Sequence, residues 1–182
     1  MSESFEISYA WKQRAEPWKP FQYAGGARVI NALMRFEALY EGNFTVRVAQ
    51  FEAVFDLCED LSLIFEDLPN RLTSLLVDTE EPVTIELQEQ EIDAAFWLER
   101  RADLVLVELR VGTAPPGLQG FPQRVFPVAA GQFLGEWARF LFAILDVLVE
   151  IEPDLAGEES YLAYRRRVVA IESASSAITH PR

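Results

Sequence analysis

The sequence predicts an α+β fold, and three observations carry that prediction. Apolar and polar residues alternate over residues 44–50, 83–88, 92–98 and 105–111, the period of strands with one buried and one wet face. Apolar residues recur at three-four spacing over 51–68 and again over 133–151, the period of helices. The strand-like runs between 83 and 111 are joined by connections too short for crossover helices, so they form an antiparallel meander. The expected architecture is an antiparallel sheet of about five strands (hairpin, helix, three-strand meander) packed by a central helix and two C-terminal helices.

Each element has its own warrant. Residues 1–27 hold Trp11, Pro17, Trp18, Pro20 and the pair Gly25-Gly26, the composition of an irregular arm laid on the domain by its aromatics. Residues 29–40 suit a helix or a strand. The following Glu41-Gly42-Asn43 has hairpin-turn composition and Phe44, Val46 and Val48 alternate after it, so a β-hairpin over 27–50 is favoured. From Phe51, the residues Val54, Leu57, Cys58, Leu61, Ile64, Phe65 and Leu68 outline one helix face, which Pro69 breaks before a further apolar turn at Leu72, Leu75 and Leu76.

The meander comes next, with Val83, Ile85 and Leu87 in its first strand. Ile92, Ala94, Phe96 and Leu98 form its second, and Val105, Val107, Leu109 and Val111 its third. Thr113-Ala-Pro-Pro-Gly-Leu-Gln-Gly-Phe-Pro is a loop by its turn formers. The helix over 133–151 is apolar over more than one stripe, which suits a helix central to the core or one contributing to an oligomer interface. A last helix is expected over 159–171. Residues 28–172 then form a single domain, with 173–182 a flexible tail.

Composition narrows the function. Acidic residues outnumber basic ones 29 to 16, for a formal charge of −13 in 182 residues. Such a balance disfavours nucleic acid and anionic membranes and suits a basic protein partner, because the summed field steers association. Residues 1–18 contain no apolar run of signal-peptide type, and the helix over 133–151 carries Glu136, Arg139, Asp146 and Glu150, too many charges for lipid. A cytoplasmic location is expected. The single Cys58 excludes an intramolecular disulfide.

Catalytic chemistry is hard to build from these residues. The one histidine, His180, stands near the C-terminus with no partner to fix its tautomer, and a positioned general base needs such a partner. Cys58 lies on an apolar stripe beside Glu59 and Asp60, a setting for a buried thiol rather than a reactive thiolate. Arg165-Arg166-Arg167 is expected to pair with neighbouring carboxylates. The acidic residues gather in two stretches, 78–93 and 146–159, and neither has the order of a calcium-binding loop. No cofactor and no metal is expected.

The hairpin over 27–50, the helix Phe51-Glu-Ala-Val-Phe-Asp-Leu-Cys-Glu-Asp-Leu, the meander and the helix Gly131-Gln-Phe-Leu-Gly-Glu-Trp-Ala-Arg-Phe-Leu-Phe together resemble the small acidic bacterial domains classed among immunity proteins of polymorphic toxin systems. The resemblance spans roughly residues 27–172 and lies in pattern and charge. It implies a cytoplasmic protein that binds a cognate toxin, often basic, and blocks its active site or its motion. Such families share no functional motif from which residue roles could be carried over.

The leading expectation is therefore a non-enzymatic inhibitor that meets a basic protein through Glu80, Glu81, Glu86, Glu89, Glu91 and Asp93, with Trp97 as an anchor if it faces outward. Trp97 and Phe96 point to opposite sheet faces, so one of them can lie outside the core. Two alternatives stand beside it. One is a structural subunit of a homo- or hetero-oligomer assembled through the helix over 133–151. The other is a carboxylate-dependent hydrolase or small-ligand-binding protein, which requires convergent carboxylates in a concave pocket.

Overall fold

The computed structural model describes residues 2–17, 27–57, 60–77, 81–89, 92–113 and 121–179. Along the chain they form β1 (Phe5–Gln13), α1 (Arg28–Leu39), β2 (Tyr40–Val48), β3 (Phe51–Asp56), α2 (Asp60–Phe65), α3 (Leu68–Ser74), β4 (Val83–Glu89), β5 (Ile92–Arg101), β6 (Leu104–Thr113), β7 (Phe126–Ala129), α4 (Ala130–Ile151), a 3-10 turn (Pro153–Gly157) and α5 (Glu159–Thr179). The class is α+β, with α4 central and α4 and α5 the two C-terminal helices. Its strands make two antiparallel sheets, β1-β2-β3 and β4-β5-β6-β7. The expected meander is β4-β5-β6, which β7 extends.

Four expectations change. Residues 5–13, read as part of an irregular arm, are strand β1, paired with β2 from Phe5↔Val48 to Gln13↔Tyr40. Its alternation of Phe5 and Ile7 inward with Glu6 and Ser8 outward is a strand signal. Residues 28–39 are a helix because Val29, Ala32, Leu33 and Phe36 gather on one buried face. Residues 51–56 are a strand: Ala53, Phe55 and Leu57 point inward, while Val54, counted towards a helix face, is exposed. The hairpin is therefore β2-β3. At the other end, residues 173–179 continue α5 instead of fraying.

The β2-β3 hairpin turns at Ala49-Gln50, with Ala49 at φ 55. Gly42, expected in the turn, lies inside β2 opposite Trp11, where a Cβ would sit 2.7 Å from the Trp11 Cα. The glycine thus serves close strand approach rather than a bend.

Among the described residues, one backbone bridge links the two sheets. Glu3 bridges Val128 in parallel, its N–H donating to the Pro127 carbonyl at 2.7 Å, which ties the start of the chain to the edge of β7. β7 then runs directly into α4, whose Ala130 N–H donates to Asp103 O in the β5-β6 turn at 2.8 Å. The inner faces share one core with α4: Phe55 meets Phe96 at 5.8 Å between ring centroids, Phe44 stacks on Phe140 at 5.1 Å, and Trp137 meets Phe96 at 6.4 Å.

The apolar breadth of α4 is accounted for by this core, since Leu134, Phe140, Leu141, Ile144, Leu145 and Leu148 are all fully buried. Its far side receives α5, which buries Tyr161, Tyr164, Val168, Ile171 and Ser175 at three-four spacing. Close contact is permitted by Gly131, where a Cβ would fall on Thr179 Oγ1 and 2.9 Å from the Ser175 carbonyl. No helix of the described residues is long and apolar enough to cross a membrane.

Candidate functional site

In the second sheet, alternation sends Val83, Ile85, Phe96, Leu98, Val107 and Leu109 into the core and leaves the residues between them on an outward face. The register sets two rows across that face, Thr84–Trp97–Glu108 and Glu86–Ala95–Arg110. Trp97 is half-buried at the centre, while Phe96, its neighbour in sequence, is 2% exposed and in the core. Trp97 is thus the aromatic that the pleat presents outward.

Ala95 is short, and the Arg110 side chain leans past it to place its guanidinium carbon 3.6 Å from the Trp97 ring centroid. Its Nε donates to Glu108 Oε2 at 2.9 Å. The carboxylate fixes the guanidinium in the stacked pose, so cation, ring and acid form one ordered unit. Glu99, on the next row, pairs with Arg101 at 2.5 Å. Glu86 is exposed and has no ion pair among the described residues. Beside the unit, Ala95, Glu108, Arg110, Val111, Gly112 and Gln123 line a shallow depression of about 470 Å³.

The structure brings together part of the expected set. Glu86 and Trp97 share the outward face, and Glu81 is exposed just before β4. Glu89 and Asp93 lie at the far end of the β4-β5 hairpin, in backbone pairs with Ile92 and Gln88, beside a register shift between Asp93 and Ala94. Glu80 and Glu91 lie outside the described residues, as do Cys58, His180 and Gly25-Gly26. Sequence reasoning missed Glu108 and Arg110. Their outward parity on β6 is legible, but only the register places them beside Trp97.

Elsewhere several charges are paired locally. On the first sheet Arg47 bridges Glu6 at 3.1 Å and Glu52 on the flanking strands, and Lys12 meets Glu41 at 3.0 Å. Lys12, through its hydrogen bond and charge, holds the Glu41 carboxyl below its ordinary range, with a smaller contribution from Arg14. On α3 the Asn70 amide, then Arg71, does the same for Asp67. Both displaced carboxylates are thus stabilised in the charged form, the opposite of the raised value a general acid requires. Among the described residues no group of three or more His, Cys, Asp or Glu is placed to hold a metal ion.

The edge of the first sheet is closed by side chains of α4. Gln132 Nε2 donates to Phe5 O at 2.8 Å, the Ile7 N–H donates to Glu136 Oε2 at 2.9 Å, and Arg139 donates to Ile7 O. Three side chains one helical turn apart thereby stand in for a neighbouring strand and leave little for a partner strand to pair with. The basic triplet Arg165-Arg166-Arg167, expected to pair with carboxylates, is exposed on α5, and of the three Arg167 adds its charge to those that lower Asp67. Arg165 instead lies 5.9 Å over the Phe142 ring. No family model, curated protein or solved structure matches the chain.

Proposed function

We propose that this chain is a non-enzymatic binding protein of the inhibitor or immunity type, which takes a basic protein partner on the outward face of β4-β5-β6. The observation that carries the reading is Trp97, presented on an open sheet face and held by Arg110 among Glu86, Glu99 and Glu108. Tryptophan and arginine are enriched among the residues that dominate the energetics of protein interfaces, tryptophan because it offers a large, rigid contact. The charge of −13 adds long-range attraction for a basic partner, which raises the association rate more than the final affinity. A cytoplasmic setting, and no role with nucleic acid or lipid, belongs to the same proposal.

The test is affinity capture with tagged protein from its native cells at low and high salt, alongside the Trp97→Ala variant. The reading expects a basic protein that the wild type retains at low salt, sheds at high salt and loses with Trp97→Ala. Capture that is indifferent to both salt and Trp97, or recovery of the chain alone as an oligomer, overturns it.

A further inference from the structure

Among the described residues, Arg110, Arg124, Arg139 and Arg165 lie over aromatic rings, and the first is placed unlike the others. Arg124, Arg139 and Arg165 stand 4.5 Å or more from their rings, and Arg139 is also tied to the Ile7 carbonyl. Arg110 sits at contact distance, 3.6 Å over Trp97. Its Nε and Nη2 both reach a single oxygen of Glu108, Oε2, at 2.9 and 2.8 Å. Glu108 Oε1 and Arg110 Nη1 have no bonding partner among the described residues.

The register also gives Arg110 a second carboxylate. Glu86, Ala95 and Arg110 follow one another across three strands. Two strand spacings separate the Glu86 and Arg110 main chains by about 10 Å, within the combined reach of the two side chains, and only the Ala95 methyl stands between them. Glu86 is exposed and has no ion pair among the described residues.

We infer that Arg110 is a resident stand-in for an arginine of the partner: on binding, the partner's guanidinium takes the Trp97 ring and Glu108, and Arg110 crosses Ala95 to Glu86. The inference rests on the proposed reading of a basic partner and names the group that partner brings. Trp97 and Glu108 are cross-strand neighbours that already hold a guanidinium in the free chain, so their spacing suits that planar ion, with its forked donors, better than an ammonium. Glu108 Oε1 can accept from the incoming group before Arg110 leaves. The exchange adds an ion pair instead of replacing one, because Glu86 gains a partner while Glu108 keeps one. Until then Arg110 keeps the exposed part of the tryptophan covered.

The probe is a capped pentapeptide with one central Arg among glycines, and its control carries citrulline, the uncharged planar analogue. Each is titrated into isotope-labelled full-length protein while the Trp97 indole N–H is followed by NMR. The Arg peptide should shift that signal and the citrulline peptide should not. Arg110→Ala should bind the Arg peptide about two- to fivefold more tightly than the wild type, the worth of one exposed cation–π contact. Glu108→Gln should abolish the shift. Glu86→Gln should weaken binding in the wild type more than in Arg110→Ala, since only the wild type has an arginine to relocate. All three substitutions lie on the outward face, away from the core. Equal or weaker binding by Arg110→Ala overturns the exchange and leaves the face reading standing. A Trp97 signal that moves with neither protein, or equally with citrulline, also overturns it, and the face reading is then judged by the capture experiment.

Discussion

The two sheets of this molecule are built alike inside and unlike outside. Both send alternating aromatic and aliphatic residues into one shared core around Trp137 and Phe140. Outside, the first sheet closes on itself: Arg47 ties Glu6 to Glu52 across three strands, and helix side chains occupy the free edge of β1. The second sheet leaves Trp97 and Glu86 on an open face. Hydrophobic burial explains the common interior. It does not explain an outward tryptophan. That asymmetry marks the second sheet as the part whose outer residues are free to serve something other than folding.

The largest expected effect would break the comparison from within. Trp137→Ala removes a side chain 1% exposed, packed on Phe96 of the second sheet and on Phe133, which in turn touches Phe5 of the first. Truncating such a residue costs about 3–5 kcal/mol. Chemical denaturation should show that loss, and hydrogen exchange should show both sheets losing protection together. Exchange that rises in only one sheet would mean that the core is not shared.

Next comes the seal on β1. Glu136→Leu removes the acceptor for the Ile7 N–H and leaves that donor unpaired, a loss of about 1–3 kcal/mol for a part-buried group. The Ile7 amide should exchange faster, and the opened edge should make the protein self-associate in light scattering. A variant that stays monomeric with a protected Ile7 amide would show that the seal is not needed.

A smaller effect tests the packing of α5 on α2. Tyr164 is stacked on Phe65 at 4.5 Å and its hydroxyl donates to Phe65 O at 2.6 Å, and burial holds the phenol well above its usual range. The folded state therefore keeps its proton where the unfolded chain loses it, so stability falls as pH rises past about 10. Tyr164→Phe should cost about 1 kcal/mol at neutral pH and flatten that alkaline fall. Denaturation midpoints at several pH values check both.

Trp97→Ala should change stability by less than about 1 kcal/mol, because the ring is half-buried and its chief partner is Arg110. A large fall in the melting temperature would place Trp97 among the core residues and erase the contrast between the sheets. The smallest effect concerns acid. Glu41, in the first sheet, and Asp67, beside the second, have depressed folded values, so each contributes stability above about pH 4 that is lost as pH falls through the folded value. Both are exposed at the surface, and Asp67→Asn should barely move the acid midpoint.

Much of the second sheet was legible in the sequence. Alternation in 83–111 was strong and its tight connections allowed one topology. The first sheet was hidden by its turns. Ala49-Gln50 contains no Gly, Asn, Asp or Pro, yet it reverses the chain, with Ala49 in a left-handed conformation that tertiary pairing enforces. Gly42-Asn43 carries the turn composition, yet it lies within a strand, where the main chain of Ala10 and Trp11 leaves no room for a Cβ at Gly42. That error turned α1 into a strand and β3 into a helix. At the candidate site, Trp97 and Glu86 followed from parity alone. Arg110 and Glu108 did not, since strand register is a property of pairing and not of one strand's pattern.

The most direct measurement of the central claim is hydrogen exchange of the chain with and without the partner recovered by capture. The account predicts slowed exchange in β4, β5 and β6, with β1, β2 and β3 unchanged. Protection centred on the first sheet, or on the exposed face of α5, would contradict it.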